Sequence, residues 1–371
     1  MKQDRPSAVR ADRTAALVGQ GSAARGTGQE RAAVIPMNDG AVLCAEPEEL
    51  RTARSSAAAG GPRAARGLRP LVPGMHRLLF TAAVLVLLAG IQLFVFTGRT
   101  DRFFAFTITS PLSAAFLGAG YGAAVAIEAL AGRQRLWASA RIAVPAVFVF
   151  TVLTLAVTLT HLGRLHLGAG FAAGTQLVAA AWIVIYVAVP ALMLVLLVVQ
   201  ARAPGADPPR RAGLPGWLCG LLAAQAAVLL GLGVALFAAP AAAAPLWPWP
   251  LTPMMAQAIG AWLIALGVAA GHALLERDAL RLRPAAAGYI VLAVLLAIAL
   301  ARYPHQFAWG SARGIVYLVF LATMLLTGLA GLARGLPHHT RRPVRTQVHH
   351  PSGQAMTGPV RSARRFKDAR N

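Results

Sequence analysis

Two dipeptides in this sequence share one chemistry, Ser110-Pro111 and Thr252-Pro253. A hydroxyl residue directly before a proline marks a helix start: the side-chain oxygen accepts from free backbone N–H groups, and the proline fills the first helical position, where its missing N–H loses no bond. The N–H groups left over, together with the helix dipole, make such an end attractive to anions. Short connections on the same side of the apolar runs carry Arg99, Arg102, Arg164 and Arg302, together with His161, His166 and His305. Arg99, Arg102, Ser110, His161, Arg164, Thr252, Arg302 and His305 are therefore expected to form an outward-facing cleft for an anionic lipid headgroup or a small anion.

Other groups that could do chemistry are few. Glu128 stands near the end of an apolar run, with Arg133 and Arg135 following, and reads as one half of an interfacial ion pair. Thr151, Thr154 and Thr158 recur at helical spacing and read as a helix-packing face rather than a solute path. His161, His166 and His305 would have to converge to hold haem or a metal, and no carboxylate or cysteine accompanies them. Cys44 and Cys219 have no metal-ligand or redox spacing. The phosphate-loop, zinc-protease, nucleophile-elbow and paired-cysteine motifs do not occur. No catalytic residue, cofactor or metal site is assigned.

The elements that must position these residues are apolar. The chain has 371 residues, of which 57% are hydrophobic and only 13% charged; its mean hydropathy is +0.59. A soluble domain carries about a quarter charged residues, so this is the composition of a membrane protein. Eight apolar runs, at roughly 78–97, 111–131, 142–160, 174–199, 217–238, 253–274, 285–302 and 314–333, are each about long enough to span the hydrocarbon. They are continuous rather than alternating, which excludes a barrel strand pattern.

The net charge of +22 lies mostly in the tails and in alternate short loops. That is a topology signal rather than a nucleic-acid footprint, and by the positive-inside rule it places both termini in the cytoplasm and the chain in the plasma membrane. Residues 1–74 and 335–371 read as disordered tails, and Met75 is an alternative translation start. The stretch ARAPGADPPRRAGLPG breaks the helical pattern and makes 201–216 a cytoplasmic linker between membrane units at 75–200 and 217–334.

Those two units resemble each other. A shift of 142 positions lays Pro111 on Pro253, Gly118 on Gly260, Arg135 on Arg277 and Arg141 on Arg283. The expected architecture is all-α, a polytopic transmembrane bundle of eight helices built as two parallel four-helix repeats, because an even number of spans returns the second copy to the same side. PLWPWPLTP, before the sixth run, reads as an extracytoplasmic lip whose prolines keep it extended and whose Trp247 and Trp249 sit at headgroup depth. TDRFFAFTITSP is its first-copy counterpart. The combination of TDRFFAFTI, PLSAAFLGAGY and PLWPWPLTP is similar to a group of multi-pass membrane proteins of high-GC bacteria with no established activity. The resemblance covers roughly Met75 to Arg334 and implies topology, without catalytic residues.

These features point to transport or to a subunit of a membrane assembly. The alternative is a membrane enzyme or haem protein working at the outer face. The expected partners are the lipid bilayer, an anionic lipid or small anion, and other membrane subunits, and not nucleic acid.

Overall fold

The computed structural model describes residues 67–335. The expectation of disordered tails falls outside the described residues, except at 67–74 and Gly335, and so does Cys44. The described chain is all-helical, and eight of its helices are long and apolar enough to cross a membrane. They are α1 (Pro73–Val95), α2 (Pro111–Gly132), α3 (Ala143–Thr160), α4 (Ala173–Arg202), α5 (Gly216–Ala238), α6 (Pro253–Glu276), α7 (Ala279–Arg302) and α8 (Ala312–Gly335). The expected polytopic bundle is therefore present.

One boundary moves inward of expectation. Helix α7 starts at Ala279 rather than near 285, taking in Arg281, Arg283 and Pro284. Asp278 caps this start by accepting from the Leu280 N–H at 3.0 Å, and Arg281 is buried against carboxylates. Paired in this way, charges that read as loop are accommodated inside a helix.

Successive helices run back and forth, giving the bundle two ends. The lip end holds the connections after α1, α3, α5 and α7, and the linker end holds the others. The 142-residue repeat recurs in the backbone. Helices α2 and α6 begin at Pro111 and Pro253, and α3 and α7 end at Thr160 and Arg302. Ser113 N–H donates to Ser110 Oγ at 3.2 Å, and Met255 N–H donates to Thr252 Oγ1 at 3.3 Å. His166 N–H donates to Ala105 O at 3.0 Å, and Ala308 N–H to Pro248 O at 3.1 Å. The packing repeats as well: α1 lies on α2 as α5 lies on α6, while α2 packs against α7 of the second unit as α6 packs against α3 of the first. The two units interlock by exchanging these helix contacts.

Glycines set how closely the paired helices approach. A Cβ on Gly118 would lie 2.6 Å from the Phe94 nitrogen, and one on Gly260 would lie 2.7 Å from the Gly233 carbonyl oxygen. Small residues at a helix crossing let the backbones meet and gain dispersion contacts, which is how apolar helices associate in lipid.

Both lips fold inward. Trp247 and Trp249 are buried in protein rather than presented to headgroups, and so are Phe104 and Phe106 of the first unit. Trp249 Nε1–H donates to Ser113 Oγ at 3.0 Å, and both indoles pack edge-on against Tyr317. At the other end, residues 67–71 and the linker are tied down. Arg69 N–H donates to Ala206 O at 2.9 Å, and Leu71 N–H to Arg135 O at 3.0 Å. Gly205 adopts φ +117 where its backbone meets Arg69, a conformation that favours glycine.

Candidate functional site

Of the eight residues expected in one anion cleft, the structure brings together three. His161, Arg164 and Thr252 line a recess of about 530 Å³ at the lip end, with Thr107, His166 and Met254. Three connections build it: the segment before α2 supplies Thr107, the turn after α3 supplies His161 and Arg164, and the capped start of α6 supplies Thr252 and Met254. His161 Nε2 meets Gln257 Oε1 at 2.7 Å. Because the Gln257 amide nitrogen donates to Phe237 O at 3.2 Å, its oxygen is the group left to accept, so His161 Nε2 carries the donated hydrogen. His166 is buried, with Nδ1 at 3.0 Å from Phe104 O and Nε2 at 2.9 Å from Thr107 Oγ1. Both of its ring nitrogens are engaged by protein, so it is a structural pin rather than a ligand.

The equivalent end of α2 is closed. Gln306, which lies 142 positions after Arg164, accepts from Ser110 Oγ–H at 2.9 Å and from the Leu112 N–H at 3.1 Å. Leu112 is the counterpart of Met254, and no described residue accepts from the Met254 N–H. One helix start is thus sealed by a side-chain amide, and the other faces the recess beside a guanidinium.

The remaining expected residues lie elsewhere. Arg302 donates to Phe94 O at 2.5 Å and stacks over the Phe94 and Tyr303 rings at 5.4 and 5.3 Å. Arg102 is exposed, 3.9 Å from Asp101, and Arg99 and His305 are exposed. Ser110 is occupied by its cap and by Gln306.

A second site lies deeper and differs from expectation. Glu128 is buried, and none of the described basic residues pairs with it. Its Oε2 has no hydrogen-bond partner among the described residues. It lines an apolar cavity of about 70 Å³ with Thr151, Phe150, Tyr186 and Trp262, where helices of both units meet. Arg133 follows five positions later, about 140° around the helix from Glu128, so the two side chains point apart.

Between recess and carboxyl lies a third, small cavity of about 20 Å³. It shares Met254 with the recess, and it shares Phe150 and Trp262 with the Glu128 cavity. Thr154 and Thr158 line it, and Thr151 lines the Glu128 cavity, so the threonine stripe of α3 faces the two inner cavities of a row of three. An aromatic plug closes the row. Phe150 and Trp262 rings lie 4.0 Å apart, Tyr121 and Trp262 5.3 Å, and Tyr121 and Tyr186 share a 2.6 Å hydrogen bond. Trp262 fits because its 142-shift counterpart is Gly120, whose Cβ would fall 2.9 Å from the indole.

The linker end is held by charge. Glu276 binds Arg141 and Arg281 at 2.5 Å each, Arg141 also binds Asp207 at 2.7 Å, and Arg281 lies 3.6 Å from Asp278. Burial works against the charge on Arg141, but Asp207 and Glu276 outweigh it and raise its pKa above the ordinary arginine value. The network ties the first unit, the linker and the second unit together.

No family model matches the chain, and neither does any curated protein or solved structure.

Proposed function

We propose that this chain is a proton-linked transporter of small acidic solutes in the plasma membrane, with both termini cytoplasmic. The observation that carries the reading is the row of cavities from the polar recess to Glu128, running where α3 of one unit packs on α6 of the other. Transporters built from repeats commonly place their sites between the repeats, and an ionisable group inside the membrane is costly unless it has a task. The arginine excess at the linker end and in the tails supports the orientation, with the recess facing out.

In this reading Arg164 and the start of α6 receive the acidic group of the solute, with His161, held by Gln257, as part of the wall. A guanidinium and the free Met254 N–H are donors such a group needs. A carboxylate at Glu128 would be an unpaired charge in apolar surroundings, which is strongly unfavourable. Glu128 therefore takes a proton from the recess side and releases it towards the linker end when that side hydrates. The aromatic plug and the Glu276 network close the route between those events.

The test uses purified protein in liposomes loaded with a pH-sensitive dye and challenged with inward gradients of lactate, phosphate, succinate or glutamate. At least one of these anions should acidify the interior with the native chain, and Glu128→Gln should abolish the signal. Proton movement at the native rate in Glu128→Gln, or none with any of the four anions, would overturn the proposal.

A further inference from the structure

A further apolar opening lies mainly in the second unit. A slot of about 260 Å³ lies among α5, α6, α7 and α8, walled by Leu229, Leu263, Leu292, Leu296, Phe320 and Met324. Rim residues Val228, Leu246 and Val316 are 47%, 61% and 66% exposed, so the slot opens sideways between α5 and α8, towards lipid. Farther from the lip, Gln225 draws the same two helices together, donating to Thr323 Oγ1 at 3.2 Å and Thr327 Oγ1 at 3.0 Å.

Two wall residues have unmet hydrogen-bonding needs. Trp247 is 3% exposed, and neither its Nε1–H nor the buried Tyr317 hydroxyl has a partner among the described residues. Buried polar groups of this kind are normally satisfied, and each exception asks for an unseen acceptor. Arg313 stands at the mouth, exposed and spending one N–H on Pro245 O at 2.9 Å. From outside inward, the site offers a cation, then hydrogen-bond donors, then an apolar slot.

We infer that this slot binds an anionic phospholipid, with one acyl chain between α5 and α8, an ester carbonyl at Trp247 and Tyr317, and the phosphate at Arg313. The order of chemistries along the site matches the order along the lipid, and the sideways opening gives access from the bilayer. The inference does not depend on the transport reading, since the slot and the Glu128 row have different openings.

The test is native mass spectrometry of the full chain in detergent, with phosphatidylglycerol and phosphatidylcholine of equal chain length added in competition. The native chain should retain phosphatidylglycerol preferentially. Arg313→Gln, at an exposed position, should reduce that preference about fivefold, the effect of one cation near an anionic surface. Trp247→Phe should weaken retention of both lipids, and Leu292→Phe, which places in the slot the side chain that Phe150 provides in the first unit, should remove both. If Leu292→Phe proves unfolded by its melting curve, Arg313→Gln and Trp247→Phe still decide the matter. Unchanged preference in Arg313→Gln with unchanged retention in Trp247→Phe would overturn the inference, as would recovery of free fatty acid alone.

Discussion

The two units share a backbone plan and differ in what fills it. Where the first unit has Tyr121, Phe150 and Thr154, the second has Leu263, Leu292 and Leu296; the first set encloses about 20 Å³ and the second borders about 260 Å³. Glu128 of the first unit is matched by Ala270, Arg164 by Gln306, and Gln134 by Glu276. The two units share a frame, and substitutions that break its symmetry leave a row of cavities along α3 and a wider apolar slot along α7. Each mirror pair is thus a built-in control for the other.

The sharpest contrast in stability should come from Glu276 and Gln134. Glu276→Ala leaves buried Arg281 without its closest carboxylate and should cost about 3–5 kcal/mol in reversible unfolding in mixed micelles. Gln134→Ala loses only a bond to Leu130 O and should change stability by about 0.5 kcal/mol or less. Similar losses at both would mean that the charge network does not join the units.

Gly118 and Gly260 should behave alike. Each sits where an added side chain meets backbone, so Gly118→Leu and Gly260→Leu should each cost about 1–3 kcal/mol in the same assay. A large cost at one position only would break the claim of equivalent frames.

How much of this was legible beforehand follows from how local each signal is. Apolar runs and Ser-Pro or Thr-Pro starts are read within a few residues, and the caps at Ser110 and Thr252 appear as expected. The repeat was visible because glycines and prolines at fixed spacing answer to backbone geometry. Glu128 was misassigned because nearness in sequence to Arg133 hid their different helix faces, although a lone acid in an apolar run was itself a signal. Gln306 carried no signal: a glutamine in a loop reads the same whether it seals a helix start across the bundle or faces water. The lip tryptophans mimic an interfacial belt, and only the packing on Ser113 and Tyr317 shows them to be core.

A smaller effect should distinguish the two helix starts. Arg164→Gln should weaken the affinity for the transported anion about tenfold, measured as the concentration giving half-maximal liposome acidification. Gln306→Ala removes the seal at α2 and should leave that concentration unchanged, with only a modest loss of stability. Equal effects on affinity would erase the distinction between open and sealed ends.

The central claim is that the solute route follows α3 of the first unit along its seam with α6, with no mirror route along α7 of the second, and mirror cysteines test it most directly. In a chain with Cys44→Ser and Cys219→Ser, Thr154→Cys and its counterpart Leu296→Cys are exposed to a membrane-impermeant, charged thiol reagent from the outer side of sealed liposomes. The account predicts labelling of Thr154→Cys that speeds up when the transported anion is supplied and slows in Glu128→Gln, with no labelling of Leu296→Cys. Equal labelling of the two positions, or labelling of Leu296→Cys alone, would contradict it.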